Sequence, residues 1–289
     1  MMIKQQITQI ITGEKIQDIA DVFIGNANFF NYNPYIASQI QKHKYITDFD
    51  NGEPYNNPRI VFCYGDLISE FSKIMNLFMN PFVLVTHNSD RNIVGDDIVT
   101  TILNHGLLMR WHAQNVGHIH TKLHFIPIGI ANRQWPHGNL EMFEYIFKNY
   151  DLSVVKKKWA YMNFKIDTNR EKRMKCYEQL FDKIPFLQLT NPMDNLLKMM
   201  EYRYCICPEG NGLDTHRLWE CFYLRIIPVM LYTPFSMNIR NKTGFPMILL
   251  KSWTDFKWSE KERTVYEEFD FTKYDDHILL NYYIRQIIE

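Results

Sequence analysis

The sequence predicts an α/β fold: two Rossmann-like halves that face each other across a cleft. Three observations carry that prediction. From Pro58 onward, apolar runs of strand length alternate with segments of helical spacing, the pattern of strand–crossover–strand units with parallel pairing. The alternation breaks once, at the polar, turn-rich Asn132–Asn139 (NRQWPHGN), and then resumes, as expected of a connection between domains. Residues 203–231, RYCICPEGNGLDTHRLWECFYLRIIPVML, then place strand, glycine loop, helix and strand in immediate succession. A length of 289 residues suits two domains of modest size. The division is expected at 1–138 and 139–289, with the C-terminal helix packing back on the first half.

Taken in order, residues 1 to about 55 carry few signals. Asp21–Ile24 reads as a strand, and Asn31–Pro34 and Asn51–Pro54 read as turns. Strands are then expected at Ile60–Tyr64, Phe82–Thr86, Leu107–His112 and Leu123–Ile128, with helices at Leu67–Phe78 and Asp97–Leu103. Met142–Phe147 is expected as a bridging helix. The second series has strands at Trp159–Phe164, Phe186–Leu189, Arg203–Cys207, Ile226–Leu231 and Met247–Leu250. Its helices are Asn169–Phe181, Met193–Met200, a segment from Leu213, Phe235–Arg240 and a mainly helical stretch from Glu260.

Composition excludes some classes. With 32 basic and 32 acidic residues the chain has no net charge, so no global field points to nucleic acid as a partner. The basic runs Lys156–Lys158 and Arg170–Lys175 are expected to be solvated element ends, with phosphate steering the alternative. The start, MMIKQQITQIITG, is too polar for a signal peptide, and no apolar run reaches membrane-spanning length. A soluble, cytoplasmic protein is expected. Five cysteines are an odd number at irregular spacing. They are expected to be reduced thiols, with Cys205 and Cys207 read as lying on opposite faces of a strand and sharing neither metal nor bridge. His118 and His120 are read as ordinary loop histidines rather than metal ligands.

The chemistry concentrates where the glycine loop meets the helix. Pro208, Glu209, Gly210, Asn211 and Gly212 form a turn cluster in which glycine lets backbone approach a ligand, and free N–H groups at a helix N-terminus attract anions. Asp214 is the expected N-cap, followed by Thr215 and His216. Arg217 falls in the first turn, where a guanidinium fork suits a phosphate. Glu220, three residues on, shares its face and can accept hydrogen bonds from ribose hydroxyls. An anion site beside a diol-binding carboxylate suggests a nucleoside diphosphate. The bland alternative is turn geometry plus an Arg217–Glu220 ion pair on the helix surface.

PEGNGLDTHRLWE followed by IIPVM resembles the donor-binding motif of exostosin-like glycosyltransferases and their small viral and bacterial relatives. The resemblance is dense over about thirty residues and looser from roughly Phe82 to Leu250. It implies a GT-B-type layout and an inverting enzyme that moves a sugar from a nucleotide-sugar donor to a glycan hydroxyl. A UDP-sugar is the expected donor, with UDP-xylose a candidate because viral relatives transfer pentoses. The carboxylate at the Glu220 position would hold the ribose, with the neighbouring basic residue facing the diphosphate. No cofactor and no metal are implied, since the helix N-terminus and arginine can stabilise the leaving diphosphate. Animal and plant members are commonly membrane-anchored; a small viral form would work in the host cytoplasm. The competing reading is a non-catalytic nucleotide-sugar or glycan-binding protein on the same scaffold.

An inverting transferase needs a base for the acceptor hydroxyl. Asp90 and then His87 are the expected candidates, in Val85–Asp90 just beyond a buried strand of the first half, with Asp66 third. Asn88, Ser89 and Asn132 are expected to line the acceptor side, and Gly129 to border the cleft. At the start of the second half, Asn163, Thr168 and Arg173 are expected beside the diphosphate. A turn with an N-cap at Thr168 and a solvated Arg173 is the equal alternative.

Overall fold

A computed structural model describes residues 7–24, 44–46, 59–257 and 260–289. The turns expected at Asn31–Pro34 and Asn51–Pro54 lie outside these. The described chain is α/β, with one parallel sheet of six strands and one of four. It divides into two compact units, Ile11–Gln134 with Leu280–Glu289, and Met1–Ile10 with Trp135–Leu279. The division therefore falls a few residues before the expected 138/139, and the last helix groups with the first unit.

In the first unit the strands are β1 (Val22–Ile24), β2 (Lys44–Ile46), β3 (Ile60–Tyr64), β4 (Phe82–His87), β5 (Leu108–Ala113) and β6 (Leu123–Phe125). Their order is β2-β1-β3-β4-β5-β6, all parallel. β3 and β4 are buried at every position. Their continuous apolar runs are what a parallel sheet covered on both faces requires. Helix α1 (Gly13–Gln17) precedes β1, while α2 (Ile68–Ile74) connects β3 to β4 and α3 (Asp97–Leu103) connects β4 to β5. On α3, Val99, Ile102 and Leu103 make the buried stripe, and the Asp96 carboxylate caps Val99 N. Asn104 ends α3, while β6 stops at Phe125 rather than Ile128, because Pro127 has no N–H to offer a neighbouring strand.

Beyond β6 the chain returns to α1. Ile130 N donates to Ile11 O at 2.8 Å, and Thr12 and Ile130 form a parallel bridge. Gly129 makes this approach possible: its φ is +67°, and a Cβ there would sit 2.2 Å from Ile11 O. Gly129→Ala is therefore expected to destabilise the first unit by about 2 kcal/mol or more, from left-handed strain plus the backbone clash. Urea denaturation checks this, and a loss below about 0.5 kcal/mol would mean that the backbone relaxes freely.

The second unit holds β7 (Lys158–Tyr161), β8 (Tyr202–Ile206), β9 (Ile227–Leu231) and β10 (Ile248–Leu250), ordered β10-β9-β8-β7. Its helices are α4 (Glu141–Asn149), α5 (Arg170–Leu180), α6 (Pro192–Met199), α7 (His216–Tyr223), α8 (Pro234–Thr243) and α9 (Glu260–Glu268). The final α10 (Leu280–Ile288) belongs to the first unit, where Ile288 O accepts from Arg59 Nη2 at 2.6 Å. A buried core of Tyr204, Ile206, Ile227, Val229, Cys176 and Leu180 joins the second sheet to α5.

The strand expected at Phe186–Leu189 is reduced to one bridge, Met162 to Phe186. Asn163 explains why: its side-chain amide takes the Leu189 carbonyl that a strand would have used. Even so, the chain leaves β7 for Phe186 on one side and returns to β8 on the other. That reversal makes the β7–β8 boundary a switch point, where open α/β sheets present ligand sites at the carboxyl ends of their strands. In the first sheet the reversal lies between β1 and β3. Among the described residues, no helix is long and apolar enough to cross a membrane.

Candidate functional site

The residues that follow β7 and β8 converge at the switch point of the second unit. After β8 the chain runs through Cys207–Thr215 into α7. The helix begins at His216, later than expected, and its N-cap is Thr215, not Asp214. Asp214 has another task. Its buried carboxylate accepts Trp219 Nε1 through both oxygens, at 2.9 and 3.1 Å, which pins the loop to the helix. Thr215 caps nothing. Its buried Oγ1 makes no hydrogen bond, an uncommon state that calls for a partner.

Neighbouring elements hold the glycine loop. Asn169 Nδ2 donates to Gly210 O at 2.7 Å, Arg173 Nε donates to Glu209 O at 3.0 Å, and Lys172 pairs with the Glu209 carboxylate. The N-cap of α5 is Asn169 rather than Thr168. Arg173 is not solvated: it also donates to Lys165 O at 2.8 Å and lies over the Phe164 ring. Burial and repulsion from Arg217 lower its pKa to about 10, so it stays charged at neutral pH. Gly210 is hemmed in by Arg173, Thr215 and Thr168, whereas Asn211 is exposed and Gly212 and Pro208 are buried.

Arg217 and Glu220 do pair, but not on a helix surface. Glu220 is 7% exposed, and Oε2 lies 2.9 Å from Arg217 Nε, too misaligned to make a hydrogen bond. Arg217 turns inward, donating from Nη1 to Asn163 O at 3.1 Å, with its guanidinium over the Tyr161 ring. The Asn163 side chain binds Tyr161, Asn195 and Leu189 O. Tyr161 donates to Asn195 Oδ1 at 2.6 Å, and burial raises its phenol to about 12. Asn163 therefore orients Arg217 from beneath. Tyr161 and Asn195 were missed in the sequence, since nothing local links them to Arg217.

His137 was missed as well. The stretch containing it read as a connection, yet its ring lies 5.8 Å from that of His216 and 6.5 Å from that of Trp135. Burial lowers its pKa, with Glu220 opposing and Arg217 reinforcing the shift.

The sulfurs overturn another expectation. Residues two apart on a strand share a face, so the reading of Cys205 and Cys207 on opposite faces does not hold. Their Sγ atoms and that of Cys221 lie within 4.8 Å of one another, all buried. Lys156 is likewise not a solvated strand end. It is buried and donates to Met200 O at 3.1 Å, and desolvation lowers its pKa to about 8. The sequence also carries an Asp-x-Asp, Asp48-Phe49-Asp50, outside the described residues.

In the first unit the candidate base His87 is 1% exposed, with Nε2 2.9 Å from Pro127 O and Nδ1 3.1 Å from Asn88 Oδ1. Those contacts occupy both ring nitrogens within the fold. Asn132 joins the same network, donating to Asn88 Oδ1 at 3.0 Å and accepting Glu14 N at 3.1 Å. Asn88 also donates to Gln17, and its φ is +56°. Gly13 leaves room for it, since a Cβ there would lie 1.8 Å from Asn88 Oδ1. Gly13, Glu14 and Gln17 were not legible because α1 is too short to show a periodicity. Of the carboxylates, Asp90 is exposed, and Asp66, also exposed, accepts Ser89 Oγ at 2.7 Å.

Burial lowers the pKa of His87 against the opposing pull of its two oxygen partners. Between the folded value and the unfolded value near 6.5, the unfolded chain binds the extra proton. The contribution of neutral His87 is thus complete above about pH 6.5 and is lost as pH falls towards the folded pKa. We expect wild type minus His87→Gln to show a stability difference that shrinks with acid, by at most about tenfold in the unfolding constant per pH unit. Denaturant melts between pH 5 and 8 check it, and a flat difference would refute it.

Compared with known proteins, the chain matches no protein-family model and no curated protein.

Proposed function

We propose that this chain is a nucleotide-sugar-dependent glycosyltransferase of the exostosin-like type, with the two-domain GT-B arrangement. The observation that carries the proposal is the first turn of α7. There the unpartnered Thr215 hydroxyl, the helix N-terminus, Arg173 and the Arg217–Glu220 pair meet at a sheet switch point. Helix N–H groups and two guanidinium groups suit a diphosphate. Glu220, misaligned with Arg217, has an oxygen left to accept a ribose hydroxyl. The Trp135–His137–His216 row offers flat faces for a base.

In this reading the sugar leaves with its diphosphate. Arg217, Arg173 and the α7 amides stabilise the charge that develops on the leaving oxygen, without a divalent cation on the phosphates. Asp90 takes the proton from the glycan hydroxyl, which attacks the anomeric carbon with inversion. A UDP-sugar is the proposed donor, with UDP-xylose the first to try.

The test is a thermal-shift panel of UDP, GDP, CMP and their sugars, with and without added magnesium or manganese. A ligand that binds the folded state raises the melting temperature by mass action. A selective shift with one nucleotide, unchanged by the cation, is expected; no shift with any would end the proposal. Asp90→Asn is expected to lower transfer at least about 100-fold with donor affinity unchanged, measured as sugar release and transfer; normal turnover would remove Asp90 as the base.

The second reading, a non-catalytic nucleotide-sugar or glycan binder, draws on one observation: the network around His87 is closed on itself. It predicts the thermal shift without turnover on any acceptor.

A further inference from the structure

Beneath the glycine loop, β8 and α7 bring three thiols together. Cys205 is the fourth residue of β8, Cys207 lies just past its end, and Cys221 is the sixth residue of α7. None is more than 1% exposed. The three Sγ atoms lie within 4.8 Å of one another, and Cys207 and Cys221 are 3.7 Å apart. The other two cysteines, Cys63 and Cys176, stand outside the group. Three buried thiols are more than packing needs, because one small apolar side chain fills such a position equally well.

We propose that Cys205, Cys207 and Cys221 form a structural site for one zinc(II) ion. Zinc–sulfur bonds of about 2.3 Å set the sulfurs of a tetrahedral site about 3.8 Å apart. The Cys207–Cys221 pair already has that spacing, and the remaining distances close with shifts of about 1 Å. The donors are all sulfur, which excludes magnesium and calcium and selects a thiophilic ion. Charge favours the divalent choice. Three thiolates carry −3, and zinc offsets two of those charges; the Arg217 guanidinium beside Cys205 is shared with the Glu220 carboxylate. A monovalent ion such as copper(I) would leave a larger buried negative charge, which is costly in a dry interior.

The ion would tie the end of β8 to α7 on either side of Pro208–Thr215, holding the loop and Arg217 in place. Binding exchanges three thiol protons for the metal; no electron moves. The site takes no part in the proposed sugar transfer and stands whether or not the loop above it binds a nucleotide.

The test uses the full chain, reduced and stripped of metal under anaerobic conditions, titrated with cobalt(II) and then zinc(II). The expected result is one equivalent bound, thiolate-to-cobalt charge-transfer absorption that zinc abolishes, and a higher melting temperature with zinc. X-ray absorption of zinc-loaded wild type should show three sulfur neighbours at about 2.3 Å. This measurement does not depend on any variant folding. Cys207→Ser and Cys221→Ser are expected to weaken zinc binding by about 100-fold or more, while Cys63→Ser and Cys176→Ser leave it unchanged. Failure to bind, a first shell of nitrogen and oxygen, undiminished affinity in Cys207→Ser, or a Cys207–Cys221 disulfide in place of metal would each overturn the proposal.

Discussion

Arg225→Met is expected to destabilise the protein by roughly 3–5 kcal/mol, the usual cost of leaving one member of a buried ion pair alone. Arg225 follows the end of α7 and pairs with Asp275, with side chains only 9% and 4% exposed. It also donates to Phe271 O at 2.8 Å and stands over the Phe271 ring at 6.0 Å. These contacts hold it at a φ of +57°, a left-handed conformation that costs about 1 kcal/mol outside glycine. Removing the guanidinium strands a carboxylate in the interior. Removing both charges, as in Arg225→Met with Asp275→Leu, is expected to recover most of the loss, since the desolvation cost disappears with the pair. Guanidinium chloride melts of the wild type and the two variants decide it. A single-variant loss below about 1 kcal/mol would mean that water reaches the pair.

Glu220→Ala is expected to raise the donor dissociation constant about 10- to 100-fold, the range for losing a hydrogen bond to a charged group. The same substitution frees Arg217 from its partner and lowers stability, so affinity alone would be ambiguous. Titration of both proteins with UDP and with 2′,3′-dideoxy-UDP separates the two effects. If Glu220 holds the ribose hydroxyls, the penalty seen with UDP collapses to near zero with the dideoxy compound. An equal penalty for both ligands would assign Glu220 to support of Arg217 only. No penalty for either would remove it from the site.

The α/β character and the loop–helix junction were legible in the amino-acid sequence for a local reason. Ile60–Tyr64 and Phe82–His87 are apolar at successive positions because both faces of a parallel strand are covered. The spacing of Leu218, Trp219 and Phe222 marks α7 because a helix repeats every 3.6 residues. The i, i+3 spacing of Arg217 and Glu220 likewise brought them to one face, where they pair. Such periodicities report which face is buried but not what lies against it. Whether Asp214 or Thr215 capped α7 depended on Trp219 claiming the Asp214 carboxylate. Whether Phe186–Leu189 became a strand depended on Asn163 taking the Leu189 carbonyl.

Only the tertiary structure decided the partners. Strand order set Asn163, Tyr161 and Asn195 under Arg217, and brought His137 beside His216. Cys205, Cys207 and Cys221 meet more locally, through the strand, loop and helix that carry them. The contacts of Arg217 and His216 join residues tens of positions apart. They come from the order in which parallel strands assemble, and crossovers set that order through packing across the whole sheet.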